Sequence, residues 1–111
     1  MGRRQKGQIV NGWLILDKAS GITSTGAVNR AKRLFDARKA GHGGTLDPIA
    51  TGLLPIAFGE ATKTVSHVMD GTKSYHFTLR WGIETDTDDI EGDPIEHSDL
   101  RPGPDDVERA L

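Results

Sequence analysis

The chain has 111 residues, of which 35% are hydrophobic and 27% are charged, and its formal net charge is −2. This length suits one modest domain with a single core, and no stretch approaches the roughly 20 apolar residues that a membrane span needs. The absence of cysteine excludes a disulfide framework and thiolate chemistry, and it favours a reducing cytoplasm as the location.

The charges are divided unevenly along the chain. Residues 1–50 carry nine Lys and Arg against three Asp and Glu, whereas residues 51–111 carry five against thirteen. A basic half is typical of polyanion binding, although a solvated helix face with a basic tail explains the charge equally well. Residues 1–7 have nothing to bury, so we expect them to form a flexible basic arm.

Between residues 8 and 58, the pattern of apolar residues predicts two strands with a helix between them. The continuous apolar run within residues 8–16 predicts a strand that is buried on both faces. Residues 53–58 predict a second strand, which Pro55 places at an edge or a bulge because proline cannot donate to a ladder. The helix between them is capped by Thr23 or Ser24 and has one buried stripe, formed by Ala27 or Val28, Ala31, Leu34 and Phe35.

From residue 60 onward, the sequence predicts further short helices, a strand and a loop. Residues 60–69 form a short helix, and residues 102–111 begin another, with a proline first and acids in its first turn. Residues 74–81 alternate between apolar and polar, which predicts a half-buried strand with Tyr75 on its buried face. The acidic residues 86–93 fail the EF-hand template, because its twelfth position is His97, and they predict a structured loop instead.

A glycine-rich loop over residues 40–52 is the strongest candidate for a functional site. Glycine permits positive φ and close backbone approach, and Pro48 biases Asp47 toward an extended geometry. An Asp before Pro is most often a simple turn, and neither a phosphate-binding nor a dinucleotide-binding glycine motif is present. Asp47 is therefore a candidate for chemistry that needs support from a longer stretch of sequence.

Six ordered segments give that support, namely residues 11–18, 41–48, 50–56, 59–63, 73–75 and 82–88. Together they resemble the TruB family of tRNA pseudouridine-55 synthases. The resemblance runs from about residue 12 to residue 92. The sequences of the motifs are similar to those of the bacterial or organellar members. Ala19 departs from the usual proline of the family, Ser74 from a basic residue, and His76 from a frequent arginine.

The resemblance implies an α/β (α+β) fold, with a mixed, largely antiparallel sheet flanked by helices. This fold is pseudouridine synthase-like and is expected to be incomplete in this chain. Residues 8–111 would form the N-terminal part of the catalytic domain, while the remainder and a C-terminal RNA-binding domain would be absent. The last predicted helix agrees, because it stops at Leu111 just where its apolar stripe is forming.

The resemblance also implies an activity, the isomerisation of uridine to pseudouridine at position 55 in the T arm of tRNA. Asp47 matches the catalytic aspartate, and His42 matches a histidine that is inserted where the flipped base was. Tyr75 matches a tyrosine that stacks on this base, and the family's partner arginine would lie beyond Leu111. Further substrate contacts are expected from Lys18, Gly43, Gly44 and Lys63.

The reaction needs no cofactor, and the four histidines have no zinc spacing, so no metal is expected. We expect tRNA as the partner, no membrane association, and a monomer. Two alternatives stay open: a tRNA-binding or folding module without turnover, and the guide-RNA-dependent branch of the same superfamily. Intact Asp47, His42 and Tyr75 favour the enzyme, whereas the expected truncation favours the module for these residues alone.

Overall fold

The computed structural model describes residues 6–111. The chain divides into two units, which meet in sequence at Lys73 and Ser74. Five of the seven residues of the predicted basic arm lie outside the described part of the chain. Of the other two, Gly7 has an ordered environment, because its carbonyl accepts a hydrogen bond of 2.9 Å from Nε of Arg38.

The first unit contains a three-stranded sheet with the strand order β1-β3-β2, and both pairs are antiparallel. The predicted fold class is thereby confirmed, and so is the first predicted helix, whose N-cap is Thr23. The predicted helix over residues 60–69 is present as a 3-10 helix followed by an α-helix. The elements are β1 (Gly12–Lys18), α1 (Ser24–Leu34), β2 (Ala40–His42), β3 (Gly52–Phe58), the 3-10 helix (Gly59–Thr64) and α2 (Val65–Met69).

The core of this unit lies between α1 and one face of the sheet. Alternate residues of a strand point to the same face, and every second residue of β3 is buried against the helix. Phe35 packs its ring on Phe58 with 5.2 Å between the centroids, which leaves Leu34 outside the core and 83% exposed, contrary to the predicted stripe. The buried cluster comprises Leu54, Ile56 and Phe58 with Ala27, Val28, Ala31 and Ala37.

The opposite face of the sheet is open along β1 and at Leu53, although Ala57 on the same face is fully buried, so the prediction that β1 is buried on both faces is wrong. Trp13 and Ile15 of β1 are 39% and 57% exposed, and Leu53 of β3 is 70% exposed. These side chains share one face because Trp13 is paired with Ala57, Ile15 with Pro55, and Asp17 with Leu53. A continuous apolar run indicates a strand but does not by itself say how many of its faces are covered.

Pro55 lies in the central strand, so its prediction as an edge or bulge residue is also wrong. The carbonyl of Pro55 accepts a hydrogen bond of 2.8 Å from the N–H of Gly43, just beyond the end of β2 at His42. In an antiparallel pair the return bond would need an N–H on Pro55, which proline lacks. The central position is therefore compatible with proline because β2 ends where the missing donor would be needed.

The second unit, Ser74–Leu111, contains a hairpin and a short helix: β4 (Ile83–Thr85), β5 (Pro94–His97) and α3 (Pro104–Ala110). The predicted structured loop is confirmed, because it joins β4 and β5 and is held by Asp86, which accepts a hydrogen bond from the N–H of Asp93. The predicted last helix is also confirmed, with Pro104 at its first position and Asp106 accepting from the N–H of Gly103.

The predicted strand over residues 74–81 is absent, which corrects the sequence interpretation. Within the described residues this segment pairs with no strand, and all of its side chains are exposed. Tyr75 is 65% exposed and Phe77 is 83% exposed. Alternation of apolar and polar residues favours an extended chain, but a strand also needs a neighbour that completes its hydrogen bonds.

Truncation of adjacent leucines tests this arrangement of the first unit. Leu54 is fully buried and Leu53 is 70% exposed, so we expect Leu54→Ala to lower the free energy of unfolding by about 2–5 kcal/mol. The matched variant Leu53→Ala should change it by less than about 1 kcal/mol. Urea unfolding followed by circular dichroism measures both, and equal losses would contradict the assigned faces.

Candidate functional site

Asp47 lies in the loop between β2 and β3, which we call the Asp47 loop (residues 45–50). Its backbone carbonyl accepts a hydrogen bond of 3.0 Å from the N–H of Ala50, which closes a turn. The side chain is exposed, and it takes part in neither of the two ion pairs that residues 6–111 form. Its carboxylate is therefore presented to solvent from a closed turn.

The backbone of Leu46, the residue before Asp47, is held by hydrogen bonds to a side chain of helix α1. The hydroxyl of Ser24 donates to the carbonyl of Leu46 at 3.0 Å and accepts from the N–H of Leu46 at 2.9 Å. Ser24 is 3% exposed, and the side chain of Leu46 packs against the core. One buried hydroxyl thus satisfies both backbone polar groups of the residue that precedes the candidate carboxylate.

The residues after Asp47 are bound to the segment that joins β1 to α1. The carbonyl of Pro48 accepts hydrogen bonds from the N–H of Gly21 at 2.7 Å and from Nζ of Lys18 at 3.2 Å. The carbonyl of Ile49 accepts another from the hydroxyl of Ser20 at 2.9 Å. The Asp47 loop is consequently held on both sides of its carboxylate.

Lys18 lies at the end of β1 and is only 1% exposed, so it is not the solvated loop lysine that is usual at such positions. Besides its bond to Pro48, Nζ donates to the carbonyls of Ala19 at 2.8 Å and Ile22 at 2.7 Å. An ammonium group has three donors, and all three are used by backbone carbonyls. Lys18 therefore connects the segment after β1 to the Asp47 loop and has a structural role.

His42, Gly43 and Gly44 lead from β2 into the Asp47 loop. His42 pairs with Ile56 and is half-buried, and no group within residues 6–111 hydrogen-bonds its buried Nδ1. A side chain at Gly43 would meet Cγ1 of Val68 at 2.9 Å, and Gly44 has a φ of +146°. Both glycines are therefore required by the local geometry, one by close packing and the other by its backbone conformation.

Lys63 and Tyr75, the other expected contact residues, lie further along the chain. Lys63 is in the 3-10 helix, where its ammonium forms an exposed ion pair of 2.6 Å with Glu60. A hydrogen bond from Lys63 and its charge, with a contribution from Lys39, hold the pKa of Glu60 below its ordinary value. Tyr75 belongs to the second unit and lies in the exposed segment described above.

Two other features are absent from residues 6–111: a cluster of metal ligands and a helix that could span a membrane. Within residues 6–111, no group of three or more His, Cys, Asp and Glu side chains is arranged to hold a metal ion. No helix in the same part of the chain is both long and apolar enough to cross a membrane.

Comparison with known proteins identifies the family. Residues 32–111 match the family model described as "TruB family pseudouridylate synthase (N terminal domain)". The chain belongs to the TruB family. It is 68% identical over 109 residues to "tRNA pseudouridine synthase B" of Gluconacetobacter diazotrophicus, a match that covers 98% of this chain and 36% of that relative.

Other relatives in the TruB family are also highly identical to this chain over about a third of their own length. The protein of the same name from Rhodospirillum rubrum is 65% identical over 92% of this chain and 33% of the relative. One from Brucella ovis is 58% identical over the whole chain and 35% of the relative. The chain therefore spans about a third of the length of the curated relatives that it matches.

A solved structure supports the fold of this TruB chain. The structure is described as "Structure of H/ACA RNP bound to a substrate RNA containing 2'-deoxyuridine", and one of its chains is 36% identical. The TM-score is 0.51, over 60% of this chain and 24% of the solved one. The likeness supports the predicted fold over the part of the chain that it covers.

Replacement of Lys18 tests its structural role. Lys18→Met should lower the free energy of unfolding by about 2 kcal/mol or more, because buried carbonyls lose their donor. Lys39→Met makes the same change at an exposed site and should have an effect within about 0.5 kcal/mol. Urea unfolding measures both variants, and a Lys18→Met variant as stable as the unsubstituted protein would refute the role.

The ion pair of Lys63 has a titration signature. Lys63→Met should raise the pKa of Glu60 toward its ordinary value, because the hydrogen bond and the charge that lower the pKa are lost. In the unsubstituted protein, the small stabilisation by this exposed pair is present at neutral pH and is lost as the pH falls through the lowered pKa. Carboxyl NMR titration measures the shift, with Lys32→Met as the control that should leave Glu60 unchanged.

Proposed function

We propose that the protein carrying this chain isomerises uridine to pseudouridine at position 55 in the T arm of tRNA, with Asp47 as its catalytic residue. The observation that carries the proposal is the exposed carboxylate of Asp47 on a loop whose backbone is hydrogen-bonded on both sides. Membership of the TruB family and relatives named tRNA pseudouridine synthase B support the same conclusion.

The reaction conserves every atom of the uridine. The N1–C1′ glycosidic bond breaks, the base turns in place, and a C5–C1′ bond forms while C5 loses a proton and N1 gains one. No electrons leave the substrate, so no redox cofactor takes part. A single carboxylate acting as a nucleophile or as a general base is sufficient for this sequence, whereas a glycosidase normally uses a pair of carboxylates.

The target base must leave its stack to reach Asp47, which costs a few kcal/mol. In this proposal His42 occupies the place that the base vacates and Tyr75 stacks on the flipped base. Stacking on an aromatic ring contributes about 1–3 kcal/mol per base, which offsets much of that cost. The 65% exposure of Tyr75 is consistent with a ring that is available to a ligand.

The tRNA backbone would be bound by the basic first half of the chain. Residues 1–50 carry an excess of six positive charges, nine against three, and such a field attracts polyanions. Gly43 and Gly44 would let the RNA approach the loop closely, and Lys63 would exchange its ion pair with Glu60 for a phosphate. Lys18 is assigned to the support of the Asp47 loop, because its ammonium is already bound to three carbonyls.

The second candidate is a tRNA-binding or folding module without turnover. The basic first half would be sufficient for such a module. The two candidates differ in one measurable property, which is the release of the C5 proton of the target uridine.

Tritium release from tRNA labelled at C5 of uridine tests the proposal. The unsubstituted protein should release tritium, and Asp47→Asn should lower the rate by a factor of about 100 or more, because its amide neither attacks nor accepts a proton. Asp70→Asn is the matched control, since it makes the same change at another exposed aspartate of the first unit. It should retain the activity.

Binding of tRNA, measured by filter retention with the same three proteins, separates the candidates. Retained binding by Asp47→Asn together with lost release supports catalysis by Asp47. Binding without release by the unsubstituted protein supports the module. Unchanged release by Asp47→Asn would overturn the assignment of Asp47.

A further inference from the structure

Ser24 has a contact that its place at the start of a helix does not require. Helix α1 is already capped by Thr23, whose hydroxyl accepts a hydrogen bond of 2.9 Å from the N–H of Gly26. Ser24 is the first residue of α1 and is buried, with 3% of its surface exposed. Its hydroxyl instead exchanges two hydrogen bonds with Leu46, at 3.0 and 2.9 Å.

These two bonds restrict the backbone next to Asp47. Leu46 cannot rotate either of its peptide groups without breaking a bond to Ser24, because one bond is to its N–H and the other to its carbonyl. On the other side of Asp47, the ring of Pro48 restricts the conformation of the preceding residue. The direction in which the Asp47 carboxylate leaves the chain is thereby determined largely by Ser24 and Pro48.

We infer that Ser24 is a positioning residue for Asp47, an assignment that rests on the proposed function. It acts on the reaction only through Leu46, by holding the carboxylate where a flipped uridine meets it. A displacement of about 1 Å at a reacting group can lower a rate about 100-fold. Loss of the hydroxyl should therefore lower kcat, whereas KM should change little because the RNA-binding surface is unaltered.

Two neighbouring residues give a matched pair of variants in the full-length protein that carries this chain. Ser24→Ala removes the bonds to Leu46, and Thr23→Ala removes the helix cap without touching the Asp47 loop. We expect kcat for tritium release to fall at least about tenfold in Ser24→Ala, with KM within about twofold of the unsubstituted value. Thr23→Ala should keep both constants, and Ser24→Thr, which restores a hydroxyl, should recover most of kcat.

Amide hydrogen exchange gives a second measurement that does not depend on turnover. The N–H of Leu46 should exchange faster in Ser24→Ala than in the unsubstituted protein and should be unaffected in Thr23→Ala. The side chain of Leu46 still packs against the core in these variants, so the fold should be retained. If Ser24→Ala does not fold, Ser24→Cys is measured in its place, since a thiol has a similar size and forms only weak hydrogen bonds.

The outcomes separate this inference from the proposed function. An unsubstituted protein without tritium release overturns the proposed function, and the inference with it. An active protein whose Ser24→Ala variant keeps its kcat overturns the inference alone. The inference is also overturned if Thr23→Ala loses as much kcat as Ser24→Ala, because helix stability would then explain both.

Discussion

The hydrogen bonds between the β1–α1 segment and the Asp47 loop are the constraint on which the site depends. The two segments are about 25 residues apart in sequence, and they meet because β1 and the loop both adjoin the central strand β3. Antiparallel pairing brings Lys18, the last residue of β1, opposite Gly52, the first residue of β3. The end of β1 therefore lies beside the loop that leads into β3.

Lys18 and Ser24 use this proximity in different ways. Lys18 supplies a buried positive charge whose donors are shared among three carbonyls, so that one side chain connects its own loop to Pro48. Ser24 supplies a group that both donates and accepts, and it connects the helix to Leu46. Together they convert a glycine-rich loop, which would be permissive in isolation, into a defined support for one carboxylate.

Sequence patterns predicted the elements that depend on local chemistry. Thr23 caps α1, Pro104 begins α3, and residues 86–93 form a structured loop, because capping groups and turn residues act within a few positions. The errors in the predicted strands concern Ile15, Pro55 and residues 74–81. Each depends on what lies beside a strand, and the period of a strand does not contain that information.

The candidate site shows the same division between local and distant information. Asp47 was found from its motif, whereas the contact of Ser24 with Leu46 spans 22 residues and had no signal in the sequence beyond a possible helix cap. The burial of Lys18 was missed as well, since a lysine in a turn is usually solvated. The burial of a polar residue can be recognised only from the three-dimensional arrangement of the elements around it.

The support of the Asp47 loop has a consequence for how a substrate could enter. A loop whose backbone is hydrogen-bonded on both sides of its carboxylate is unsuited to act as a lid, because opening it would break several hydrogen bonds at once. In the proposed function, the conformational work of forming a reactive complex would then fall on the RNA. Entry would be sensitive to the stability of the RNA fold around the target, so that a weakened tertiary fold would be an easier substrate than a rigid one.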